Sequence, residues 1–484
     1  MAPPLSGLFE GLSGGRWLAA CIALVVLAGL NNGYNIQVGA FVQARLNESY
    51  PDESHPLHLA DSAYAFLGSS FLVGMVIGAG TSGPLLGCLG ARDSAILGEL
   101  IAIIALFFGV FAAHSWMVLV WRLLVGIANG VCITAKPLYI AESAPIEWKG
   151  RLMALLFLCL LASQVAAELV DWLALPDSSE GSSVWRTNIA IGGIFPVALG
   201  VLLYLMPQSP RNNGVDEIDS ASGDGKPKSN GIEAKSHRKR IRRKRSPQEN
   251  TPLQPAKADV LNGGADEGSL VRCVLREDVL RSLGLCALLA VAKEGMGWAP
   301  LAAYQFSILV SYYTESGEQE MEASDSAHKD DMIVYAFVVL GAVVCLLLID
   351  RPPIGRRGMV LVGCAGGVLG VVFIAGAARY NIMLLPYALC TTGFFNALVQ
   401  GAYYAATTEA IPFDVRPMLI GPVYASTQLF AFGITEAVPY ASNLSGLFIL
   451  LGIAVTICGL TLFFVMRETS WWATSSQASN AAGG

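Results

Sequence analysis

The chain has 484 residues, 54% of them hydrophobic and only 14% charged, with a mean hydropathy of +0.53. That is too apolar for a soluble domain of this size, and apolar runs of about eighteen or more residues recur, which in lipid must be helical because no water is there to bond the backbone. The net charge of -6 excludes little because the charges are unevenly placed, whereas the absence of metal-ligand spacings, phosphate loops and nucleophile elbows argues against an enzyme or a cofactor.

Residues 1–16 lack the basic segment, short apolar core and cleavage site of a signal peptide, so a cytosolic tail and a retained first helix are expected. Apolar runs predict six spans near 17–42, 62–86, 94–113, 116–139, 152–175 and 187–206, each able to cross ~30 Å of hydrocarbon. A polar segment, 208–276, has no run of that length. Six more spans follow near 282–313, 332–349, 359–378, 382–407, 418–438 and 446–466. The expected fold is all-α: twelve transmembrane helices in two six-helix bundles, 17–207 and 277–468, with a linker between them and a second cytosolic tail at 469–484. The 10 cysteines lie mostly inside the apolar runs and read as small buried hydrophobes rather than a disulfide framework.

Orientation follows from the basic residues. With both termini inside, the outer loops hold only Arg45, Arg186, Lys329 and Arg379, while the inner loops take Arg92, Lys149, Arg151, Arg211, Arg351, Arg356, Arg357, Arg416, Arg467 and the whole linker. The sequon Asn47-Glu48-Ser49 then falls outside, a predicted glycosylation site, as does an acidic loop from Glu315 to Asp331. The linker carries KSHRKRIRRKR at 235–245, read as a disordered tether drawn to anionic inner-leaflet lipids rather than a nucleic-acid patch. In the second span Gly68, Gly74, Gly78, Gly80 and Gly83 predict close helix contact.

One stretch is repeated. Tyr139, Glu142, Pro145 and Lys149 recur loosely as Tyr404, Glu409, Pro412 and Arg416, which points to internal duplication. Glu142 and Glu409 fall at inner helix ends, with Arg92, Lys149, Arg211, Arg356, Arg357 and Arg416 available as partners. Such pairs, each worth ~0–1 kcal/mol when exposed, suit a cytosolic gate that breaks in every cycle. Ionisable residues inside spans are sharper signals, because they are paired or line an aqueous path. Arg122, Lys136, Glu168, Lys293 and Glu294 are of this kind. Lys136 is expected to snorkel at the inner end, Glu168 to approach the outer interface, and Lys293-Glu294 to lie at pocket depth. A small polar ligand needs hydrogen-bonding side chains and an aromatic face. Asn35, Gln37, Gln164, Tyr304, Gln305, Tyr404, Thr407 and Gln428 supply them from different helices.

These motifs together resemble the sugar-porter family of the major facilitator superfamily, and within it the glucose-facilitator type. Gly33-Tyr34-Asn35 is similar to its first-span motif, and Arg122, Gly126, Pro137, Tyr139, Glu142, Pro145 and Lys149-Gly150 to its fourth-helix signature. Trp185-Arg186 and Pro207-Gln208-Ser209-Pro210-Arg211 bracket the sixth span as in the family. Asp350-Arg351 with Gly355-Arg356-Arg357, then Glu409, Pro412 and Arg416-Pro417, then Glu468-Thr469, match three further loops. The resemblance implies the major facilitator fold and transport of a hexose or related small carbohydrate by alternating access. Proton-coupled members carry aspartate where this chain has Asn35, so facilitated diffusion is implied.

The departures fall on the sugar pocket. Lys293-Glu294 stand at the paired glutamines of the family and Ala299 at its asparagine, Tyr404 at its tryptophan, Thr427-Gln428 at Asn-Trp, and Phe157 at a glutamine. Gly87-Cys88 replace Asp-Arg in the loop after the second span. The alternatives are the same fold carrying another small polar or charged metabolite, with proton coupling open to it, or a non-transporting sugar sensor. The plasma membrane is the expected location, an organelle membrane the alternative.

Overall fold

The computed structural model describes residues 14–50, 52, 54–59, 61–145, 147–170, 184–208, 275–297, 299, 301, 308–310, 313–314, 320–380, 384–440 and 444–467. Its main elements are α1 (Gly14–Ser49), α2 (Asp61–Val110), α3 (Ser115–Ser143), α4 (Lys149–Leu169), α5 (Val184–Gly192) and α6 (Ile194–Leu205) before the linker. After it come α7 (Glu277–Glu294), α8 (Glu320–Leu348), α9 (Gly355–Tyr380), α10 (Leu385–Ala410), α11 (Arg416–Tyr440) and α12 (Leu444–Val465). The described residues contain no strand. Among them, 9 helical stretches are long and apolar enough to cross a membrane.

Helices and spans do not correspond one to one. The stretch Phe66–Val110 has 45 residues, about 68 Å of helix at 1.5 Å per residue and twice what one crossing needs. It holds the second and third expected spans, broken by a kink at Gly90, whose φ of 79° favours glycine. The sixth span, Trp185–Leu205, is divided between α5 and α6 at Gly193. The acidic stretch expected as an outer loop is helical from Glu320 onward and forms the first turns of α8. The sequon also differs from the expected loop position: Asn47 lies in the last turn of α1.

Within the first half α1 packs on α4 and α2 on α3; within the second, α10 packs on α8 and α9, and α9 on α12. The halves meet where α2 lies along α11 and α4 along α8. Glycine makes these approaches possible, as the second-span pattern predicts. A Cβ on Gly78 would overlap the Ile127 carbonyl oxygen of α3, and one on Gly421 would sit 2.6 Å from the Ala79 carbonyl oxygen, across the two halves. Large apolar side chains such as Phe107, Leu369, Leu450, Ile457 and Phe464 stay exposed on the outside, the surface a lipid environment covers.

Candidate functional site

A group of the basic loop residues comes together where α8 and α10 end and α4 and α9 begin. Arg356 is 1% exposed and pairs with Glu409 at the end of α10, while its Nη2 lies 3.3 Å from Asp350 Oδ1. The other Asp350 oxygen accepts the backbone N–H of Arg151, at 2.9 Å, from the start of α4 in the opposite half. Gly150 leaves room for that approach, since a Cβ there would strike the Asp350 carboxylate. Lys149 lies within electrostatic reach of Glu142 in its own half and of Arg356 and Arg416 in the other. Glu409, Arg356 and Lys149 of the expected gate are thus gathered around Asp350, which that reading omitted.

The other expected gate cations hold their own halves. Arg92 donates to the Met206 carbonyl at 2.8 Å and to Asp93 at 2.7 Å, and Gln208 donates to the second Asp93 oxygen. Tyr139 donates to the Pro207 carbonyl at 2.8 Å, so the end of α6 is held by α3 as well as by the α2 turn. Arg357 donates to the Phe463 carbonyl, and Arg416 to the Ile411 carbonyl at 3.1 Å. Arg276, just before α7, bridges Asp278 and Asp414, and these carboxylates raise its pKa above the ordinary arginine value. Arg211 lies outside the described residues.

Inside the molecule the ionisable residues are paired. Lys136 Nζ lies 2.6 Å from Glu99 Oε1, with each side chain 1% exposed. The Glu99 carboxylate also accepts from Asn31 Nδ2 at 3.1 Å and from the Cys132 thiol. Lys136 therefore does not snorkel as expected: its charge is met in place by a carboxylate from the third span. Glu99 was missed by the sequence reading, although a lone carboxylate in the apolar run 94–113 carries the same signal as the five residues chosen. Arg122 donates to the backbone carbonyls of Asn35 at 2.6 Å and Ile36 at 3.1 Å, and Asn35 Nδ2 donates to Asn31 Oδ1 at 2.8 Å.

Lys293 and Glu294 pair with each other where α7 ends, and Asn396 of α10 donates to the Lys293 carbonyl at 3.0 Å. The Lys293 ammonium sits 5.3 Å from the centre of the Tyr403 ring. Tyr403, Tyr404 and Tyr424 form an aromatic cluster with centroids 5.3–5.8 Å apart, and the Tyr403 hydroxyl bonds the Thr427 hydroxyl. Thr407 and Gln428 are buried on α10 and α11, and Gln164 on α4. Two contacts tie α8 to the other half: the Tyr335 hydroxyl donates to Gln37 Oε1 at 3.5 Å, and His328 Nδ1 lies 3.7 Å from Glu168. Tyr304 and Gln305 lie outside the described residues, as does the Asn47 side chain.

A narrow cleft runs between the halves, lined by Asn32, Cys132, Ile133, Lys136, Pro137, Leu156, Phe157, Leu160 and Tyr404. In this closed arrangement it has room for about one water molecule.

Among the described residues, nine apolar helical stretches long enough to cross a membrane, packed around a polar seam, define a multi-pass membrane protein. A family model of sugar (and other) transporters matches residues 21–471, and the chain belongs to that family, the sugar porters of the major facilitator superfamily. It is 26% identical over 473 residues to the major myo-inositol transporter IolT of Bacillus subtilis, covering 93% of this chain and 91% of the relative. It is 36% identical over 143 residues to the glucose transporter GlcP of Staphylococcus epidermidis, a match covering 30% of this chain and 31% of that one. Among solved structures, the proton:xylose symporter XylE bound to 6-bromo-6-deoxy-D-glucose superposes with a TM-score of 0.71 at 17% identity, covering 95% of this chain and 98% of XylE. The protein is a transporter and not an enzyme.

Proposed function

We propose that the protein moves a neutral sugar or cyclic polyol across a membrane by alternating access and facilitated diffusion, with the basic face towards the cytosol. The observation that carries the mechanism lies in the first span. Residue 35 is an asparagine, which carries no proton to exchange, and the Arg122 guanidinium bonds the backbone carbonyls of Asn35 and Ile36. The substrate class is supported by relatives named for myo-inositol and glucose. It is further supported by the interior lysines, each neutralised by its own glutamate. The Asp350 contacts act as the cytosolic gate in this reading, and Gln164, Thr407, Gln428 and the tyrosine cluster line the path.

Uptake of labelled myo-inositol, glucose and xylose into vesicles containing the purified protein is the test. Internal concentration is expected to rise to the external value and stop, with or without an imposed pH gradient, and Glu294→Gln is expected to leave the pH profile unchanged. Accumulation driven by the pH gradient would sink facilitated diffusion. Failure to carry any neutral sugar or polyol would sink the substrate class.

A further inference from the structure

We propose that Lys136, positioned by Glu99, contacts the substrate and selects neutral polyols over sugar acids. The inference rests on the reading of the chain as a sugar or polyol transporter and names a residue pair that decides its specificity.

Lys136 and Asn32 line the same cleft from α3 and α1, with Tyr404 facing them from the second half. Asn32 is 7% exposed and its Oδ1 finds no hydrogen-bond partner in the protein. A buried acceptor left unpaired is unfavourable, so the cleft favours a ligand that donates to it. A hydroxyl donates and accepts at once. It gives its proton to Asn32 Oδ1 and receives one from Lys136, while Ile133, Leu156 and Phe157 offer the apolar wall that a ring face needs. These contacts form when the halves part enough to admit the ring.

Glu99 sets the charge of this subsite. Its carboxylate lies behind Lys136 and takes donors from Asn31 and Cys132 as well, so the pair presents an ammonium donor to the cleft without net charge. A carboxylate on the ligand would share the single positive charge of Lys136 with Glu99 and leave a net buried negative charge. A hydroxyl brings no such charge, and Lys136, with three donors, keeps one on Glu99. The arrangement therefore accepts a neutral polyol and rejects its acid. A buried ion pair is weak evidence for stability, so packing alone is a poor reason for this one.

The test uses the full-length protein in vesicles, with myo-inositol and glucose as substrates and glucuronate as competitor. The exchanged pair, Glu99→Lys with Lys136→Glu, rebuilds the ion pair but turns a carboxylate towards the cleft. A substrate contact predicts a KM raised at least 10-fold with an unchanged thermal midpoint; a wild-type KM overturns the proposal. Glu99→Gln frees Lys136 and is expected to make glucuronate a competitive inhibitor; absence of inhibition overturns the neutral-selection claim. Should the exchanged protein not fold, Asn32→Ala leaves the pair intact and is expected to raise KM about 10-fold, an unchanged KM again overturning the proposal. Wild-type protein that carries no sugar or polyol would instead refute the transport reading itself.

Discussion

Asp350 reaches three segments with two oxygens: Arg356 beside it, Glu409 through Arg356, and the Arg151 N–H of the other half. Because Asp350 is only 3% exposed, deleting it strands Arg356 between a lost partner and Glu409. Arg356 and Glu409 share a half with Asp350, so the loss confined to the closed basic face is the Arg151 N–H bond to the carboxylate, about 1.5–3 kcal/mol for a hydrogen bond to a charged group. Asp350→Ala is therefore expected to shift the population towards a face open to the cytosol by about 10- to 100-fold. Labelling of Cys132, buried in the cleft, by an impermeant maleimide applied from that side should accelerate accordingly. An unchanged labelling rate would mean that the face is held elsewhere. The sequence reading placed Glu409 and Arg356 in the gate but held Asp350 only as part of a family motif, because a loop carboxylate looks solvated until the opposite helix start is packed against it. The same blindness hid Glu99. Its partner lies 37 residues away on another helix, and no one-dimensional pattern joins them.

The second span offers one glycine edge to α3 and another surface to α11, and the two contacts have different consequences. Gly78 lies against Ile127 within the first half, in a contact that does not depend on which face is open. Gly421 presses on Ala79 across the halves, a contact belonging to the closed basic face. Overpacking a tight contact costs about 1–3 kcal/mol. Gly78→Ala is accordingly expected to lower the thermal midpoint by a few degrees, whereas Gly421→Ala should leave it nearly unchanged and speed Cys132 labelling instead. Equal losses of stability in both variants would contradict the division into fixed halves and a moving seam. Hydropathy gave away the spans because lipid demands apolar length, and it separated the two parts of α2 correctly. It could not show the first turns of α8, Glu320–Asp331, since a helix continuing beyond the membrane has no apolar signature.

At the scale of the molecule, each half secures its own boundary with the linker. Tyr139 and Arg92 fix the end of α6 to the first half, and Arg276 fixes the start of α7 to Asp278 and, through Asp414, to the loop before α11 in the second. Alternating access needs the halves to rock as bodies while remaining near each other, and α2–α11 and α4–α8 already supply that proximity. The reading of the residues between Gln208 and Arg276 as a tether then predicts that their middle can be removed without loss of transport. If residues 215–265 are deleted, 209–214 and 266–275 remain between the anchored ends. Sixteen residues reach about 50 Å when extended, ample slack for a rocking motion. The expected result is uptake with KM and maximal rate within about 2-fold of the full chain in vesicles of neutral lipid. In vesicles rich in phosphatidylserine, the full chain alone should show a salt-sensitive association of its linker with the bilayer, worth ~1 kcal/mol per basic residue near the surface. A maximal rate that changes several-fold on deletion, in neutral lipid, would make the linker part of the transport cycle and not a tether.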